Sequence, residues 1–114
     1  MRLASALVLA VAIAGCAPVS PSLASLAGDW HGRIVTARGH SAARLTVGVD
    51  GRYEGAAFFD GADWPLHGAI IALSDGRLRY AGNDGNGTVT FQRDALRLRG
   101  DDGATGGVFR RTGP

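Results

Sequence analysis

The chain has 114 residues with a single cysteine, and its twelve basic residues, all arginine, stand against ten acidic ones. A formal net charge of +2 over that length supplies no concentrated basic excess, which removes nucleic-acid binding from the function classes to consider. One cysteine excludes a disulfide framework, and the length allows one domain rather than two.

The first element is an apolar run. Residues 3–14 are small or apolar apart from Ser5; Arg2 precedes them and Gly15-Cys16 ends them. As a helix the run would reach about 20 Å, short of the roughly 30 Å hydrocarbon core of a bilayer, so a secretory signal peptide is a stronger reading than a transmembrane helix. Its end, Ile13-Ala14-Gly15-Cys16, resembles the lipobox of bacterial lipoproteins: an aliphatic residue, two small residues, then the cysteine. The resemblance implies that residues 1–15 are a cleaved signal peptide and that Cys16 becomes the lipidated first residue of the mature chain. Its acyl chains would hold the protein on a membrane, each buried methylene adding about 0.8 kcal/mol. Ala17 stands where aspartate commonly retains such proteins in the inner membrane, so the resemblance points to the outer membrane of a Gram-negative bacterium. Residues 16–27 carry two prolines, three serines and no charge, the composition of a flexible tether.

From residue 28 to residue 112 the apolar positions alternate with period two rather than with helical spacing. Trp30-Gly32-Ile34, Ala43-Leu45-Val47, Tyr53-Gly55-Ala57-Phe59, Trp64 to Leu73, Leu78-Tyr80, Gly87-Val89-Phe91, Leu96-Leu98 and Gly107-Phe109 mark successive strands. Asp50-Gly51, Asp60-Gly61, Asp75-Gly76, Asp84-Gly85 and Asp102-Gly103 are turn dipeptides that favour positive φ, and Gln92-Arg93-Asp94-Ala95 is a turn without glycine. Short strands in a meander, with no room for a covering helix, hide their edges best by closing the last strand onto the first. The expected fold is all-β: a small eight-stranded antiparallel up-and-down barrel, with a two-sheet sandwich as the alternative.

Two short motifs carry a further resemblance. "LAGDWHG" opens the first strand with Gly28-x-Trp30, and "GGVFRRT" closes the last with Arg110 and Arg111. The pair resembles the calycin arrangement of lipocalin-type and avidin-type barrels. It implies that Trp30 closes one barrel end and that an arginine of the last strand packs across it. Alternation puts Arg111 in phase with Phe109, so Arg111 is the expected partner. The start of the domain is also similar to that of small bacterial barrels that inhibit secreted metalloproteases, but those carry a cysteine pair that is missing here. Strands of about seven residues make a barrel only about 18 Å tall. Trp30, Tyr53, Phe59, Tyr80, Phe91 and Phe109 would then fill it as a packed core.

No catalytic constellation emerges. His31 falls on the outward phase of the first strand, His40 in a loop and His67 in the fourth strand, and no two share a metal-ligand spacing. Ser41 beside His40 lacks an elbow motif, Asp60 and Asp63 flank a turn, and "NDGNG" at 83–87 lacks the spacing of a calcium loop. No metal, cofactor or enzymatic activity is expected. The coherent polar feature is a set of arginines, Arg77 and Arg79 on strand five and Arg97 and Arg99 on strand seven, pointing outward around Thr88, Thr90 and Gln92. Guanidinium groups so placed suit lipid phosphates, peptidoglycan carboxylates or an acidic partner protein. The expectation is a lipid-anchored, non-enzymatic binding module of the cell envelope, with a protease or lysozyme inhibitor and a small-ligand carrier as alternatives.

Overall fold

A computed structural model describes residues 22–112. Eight antiparallel strands follow one another in chain order: β1 (Gly28–Thr36), β2 (Gly39–Val47), β3 (Arg52–Phe59), β4 (Ala62–Ala72), β5 (Leu78–Gly82), β6 (Gly85–Gln92), β7 (Ala95–Gly100) and β8 (Gly106–Arg111). Each pairs with the next, and β8 pairs back onto β1 from Trp30↔Arg111 to Val35↔Gly106, so the sheet is a closed barrel. Closure leaves no unpaired strand edge for another chain to extend. At the seam the strands run very close. A Cβ at Gly32 would collide with the carbonyl of Val108 and the Cα of Phe109, so glycine is required there by backbone contact.

Four connections are two-residue turns, and the one formed by Arg93 and Asp94 has φ of 52° and 65°. That is the left-handed pair a tight hairpin needs, reached here without glycine. Asp60 and Gly61 do the same between β3 and β4, at φ 55° and 76°. In the longer loops the aspartates act through their side chains. Asp50 accepts from Arg52 N–H, Asp75 from Arg77 N–H, and Asp102 from the N–H groups of Ala104 and Thr105.

Inward positions alternate as the pattern requires, and Trp30, Ile34, Leu45, Val47, Tyr53, Leu66, Ile70, Tyr80, Leu96 and Phe109 meet in one core. Of the six aromatic residues expected inside, Phe91 is only half-buried, and the half-buried Trp64 also packs against the core. A cavity among Ile34, Leu45, Tyr53, Leu66, Tyr80 and Phe109 measures about 50 Å³. Small-molecule sites are roughly 300–1,000 Å³, so the interior is a packed core.

The end where β1 begins is closed by the chain that leads into it. Leu23–Leu26 form a 3-10 turn capped by Ser22, and Leu26 is wholly buried. Residues 22–27, read from composition as the last part of a tether, are therefore a docked plug: Leu26, with the partly buried Leu23 beside it, finds the apolar rim of the barrel. The proposed signal peptide, residues 1–15, and Cys16 lie outside the described residues. No helix among the described residues is long and apolar enough to cross a membrane.

Candidate functional site

The Gly28-x-Trp30 motif sits under the 3-10 turn. Trp30 is fully buried, donates its indole N–H to the Leu26 carbonyl at 2.9 Å, and meets the Phe91 ring edge-on at 5.9 Å. The Arg111 guanidinium lies over its other side, 4.4 Å from the ring centroid, and donates to the carbonyls of Ala27 (2.8 Å) and Ser25. Gly28, at φ 135°, leaves the space that this guanidinium crosses. Arg111 thus does two things: it covers the ring and it ties down the chain entering the barrel.

The opposite end has a second tryptophan–arginine pair, for which no sequence motif stood out. Trp64 on β4 faces inward opposite Ala57, its indole N–H reaches Asp84 Oδ1 at 3.3 Å, and Arg38 of the β1–β2 turn stacks 3.9 Å from its centroid. Tyr53 and Tyr80 lie beneath. Burial pushes the Tyr53 hydroxyl up to about 12, with Tyr80 and Asp84 adding to the shift, and burial also raises Tyr80. Both phenols stay protonated throughout the ordinary pH range.

The histidines and carboxylates do not converge. His40 lies on β2 rather than in a loop, because the β1–β2 connection is only Ala37-Arg38 and the strand starts at Gly39. Its neighbour Ser41 points the other way, buried, accepting from Phe58 N–H at 2.8 Å and within 2.8 Å of the Phe58 carbonyl. It serves as part of the β2–β3 ladder. His31 Nδ1 pairs with Thr112 Oγ1, and His67 is exposed on β4. Asp60 and Asp63 are both exposed at the β3–β4 turn. Among the described residues no group of three or more metal-ligating side chains comes together.

The arginine patch is real as a surface but differs in membership from the expected set. Arg77 precedes β5, in the β4–β5 loop, and is held by Asp75 at 2.7 Å. Arg79 is on β5 and grips Asp101 through both terminal nitrogens, at 3.1 and 2.5 Å, reaching across β6, where the Asp101 N–H is bonded to the Asn86 carbonyl. The contact raises the Arg79 guanidinium and lowers the Asp101 carboxyl from their usual ranges. Two of the four expected arginines are therefore already neutralised.

Arg97 and Arg99 instead continue across the barrel seam. In register, Thr90, Arg97, Val108, Arg33 and Ala42 form one outward row across five strands. Beside it run Thr88, Arg99, Gly106, Val35 and His40, and on the other flank Ala95, Arg110, His31 and Arg44. Ion pairs among the described residues join only Arg52–Asp50, Arg77–Asp75 and Arg79–Asp101. Arg33, Arg97, Arg99 and Arg110, all exposed, have no carboxylate partner among the described residues. Between them the surface sinks at Gly106, which carries no side chain, making an open groove of about 890 Å³. Guanidiniums two strands apart stand about 10 Å from each other at the backbone, and those two residues apart on one strand about 7 Å. Such a lattice can hold a chain of anions through paired N–H donors.

The chain matches no known family model, no curated protein and no solved structure. The closed eight-stranded antiparallel barrel is compatible with a calycin-like fold. What the protein does must be read from its own residues.

Proposed function

We propose that the protein is a lipid-anchored binding module of the bacterial envelope, attached through Cys16 and working through the outside of its barrel rather than through a lumen or a catalytic centre. The observation that carries this reading is the groove walled by Arg33, Arg97, Arg99 and Arg110, four exposed cations with no carboxylate partner among the described residues. Surface arginines without a partner contribute little to folding. Clustered in a concavity, they raise the local concentration of anions and speed the capture of an anionic ligand.

The attachment follows from the lipobox-like Ile13-Ala14-Gly15-Cys16. Between Cys16 and Ser22 the chain can span at most about 20 Å. The barrel would therefore sit with its plugged end toward the bilayer and its basic flank rising beside it. The outer membrane is the expected location, since Ala17 is not aspartate.

Two experiments test the two halves. Cys16→Ser should abolish incorporation of a radioactive fatty acid and release the protein from the membrane fraction. A mutant that still takes up label and still sediments with membranes disproves the anchor. Replacing Arg33, Arg97, Arg99 and Arg110 together with glutamine should leave the melting temperature nearly unchanged and reduce crosslinking to intact envelopes. Equal crosslinking by the variant disproves the face.

A further inference from the structure

Resting on that reading of the basic face, we infer that its ligand is an anionic polysaccharide, an extended glycan bearing carboxylate or other acidic groups at regular intervals. Closure of the barrel removes the first alternative. With β1 paired to β8 there is no strand edge to which a peptide backbone could add, so recognition must come from side chains. The composition of the face argues against a folded protein partner. Stable protein interfaces are organised around buried aromatic or large apolar anchors. Here the one exposed large apolar residue is Val108; Val35 and Leu98 are partly buried, Ala104 is small, and the rest of the face is arginine, histidine, threonine and glycine. A membrane surface is equally poorly served. The flat headgroup plane of an anionic bilayer is best met by cations that project, whereas the middle of this face is concave at Gly106.

A polysaccharide meets each feature in turn. Its chain is narrow enough to lie in a shallow groove. Its acidic groups recur along one direction, as do Arg97 and Arg33 across the seam, with Arg99 and Arg110 on the rows to either side. Its ring hydroxyls need small donors and acceptors between the cations, and Thr88 and Thr90 stand beside Arg99 and Arg97 in register. A planar guanidinium binds a carboxylate through two parallel N–H bonds, so four of them on a rigid sheet read spacing as well as charge. The groove also runs over two pairings of the closed barrel, β7–β8 and β8–β1, so its cations stand on strands whose backbone is fixed by hydrogen bonds on both sides.

The test uses the full chain and four probes: polygalacturonate, neutral dextran, poly-glutamate, and vesicles containing anionic phospholipid. Polygalacturonate should bind saturably, weaken as salt is raised, and exceed poly-glutamate and vesicles in affinity at equal charge. The combined Arg33→Gln, Arg97→Gln, Arg99→Gln and Arg110→Gln variant should lose at least tenfold in that affinity. Arg52→Gln with Arg93→Gln, two exposed arginines off the face, should retain it. Binding of dextran as strong as that of polygalacturonate, or polygalacturonate binding untouched in the four-arginine variant, overturns the inference. If poly-glutamate or vesicles bind more tightly and only that binding needs the four arginines, the glycan assignment fails while the basic face stands. If no anionic probe responds to the four arginines, the face falls with it.

Discussion

The two ends of the barrel use the same pair of residue types and reach different results. At the plugged end Trp30 is fully buried, its N–H is taken by a backbone carbonyl, and Arg111 lies over it while holding two more carbonyls of the incoming chain. At the other end Trp64 is half-buried, its N–H meets an aspartate at 3.3 Å, and Arg38 covers it from a two-residue turn. One pair is braced by a neighbouring segment of chain; the other is braced only by loops. The comparison teaches that a tryptophan–arginine stack is a cover in either case. It becomes a structural lock only where a third element completes the enclosure.

The largest expected effect is therefore at Trp30. Trp30→Ala should cost about 3–5 kcal/mol, read as a fall in the urea midpoint, since a large side chain leaves a void lined by Leu26, Phe91 and Arg111. Trp64→Ala should cost less, about 1–3 kcal/mol, because part of that side chain is already exposed. Equal losses for the two variants would break the distinction between the ends.

Arg111→Gln should cost about 1 kcal/mol, mainly the cation–π contact. It should also expose the 3-10 turn at Leu23–Leu26 to faster proteolysis, because the carbonyls of Ser25 and Ala27 lose their donor. Arg38→Gln should cost about half as much and leave cleavage in that turn unchanged. Accelerated cleavage there in the Arg38 variant would mean that the two ends communicate through the core.

Acid sharpens the contrast with the smallest effect. Asp102 accepts from Ala104 N–H, Thr105 N–H and the Thr105 hydroxyl, and these bonds hold its carboxyl below the usual 3.8. Asp101 is lowered too, by Arg79. A carboxyl with a lower value in the folded state stabilises that state above its unfolded value, and the benefit fades as pH falls through the folded one. Below about pH 4 the β7–β8 loop should loosen, seen as faster amide exchange at Thr105. The braces of Trp30 are backbone carbonyls and a guanidinium, which do not titrate there, although the Arg77 N–H and guanidinium lower Asp75 in the β4–β5 loop at the same end. Asp102→Asn keeps an acceptor but removes the titration, so its Thr105 exchange should lose the extra acid dependence. If it retains that dependence, another group controls the loop.

What the amino-acid sequence determined by itself was everything local in origin. Alternation marked the eight strands. The Asp-Gly pairs and Arg93-Asp94 marked turns, because positive φ and side-chain acceptance are decided within four residues. Trp30 and Arg111 were legible as a pair through a motif at each end of the domain. Tertiary structure decided whatever depends on register between strands, across the seam above all. Arg79 was readable as outward, but its neutralisation by Asp101 needed the register of β5, β6 and β7, which sets the start of the β7–β8 loop within its reach across β6. Arg33 and Arg110 were visible as strand residues, yet only the pairing Arg33↔Val108 and His31↔Arg110 placed them beside Arg97 and Arg99. The Trp64–Arg38 cover and the docking of Leu26 likewise join residues far apart in sequence or packed against a rim that exists only once the barrel closes. Period two tells each side chain which face it takes; only the closed hydrogen-bond ladder tells it who its neighbours are.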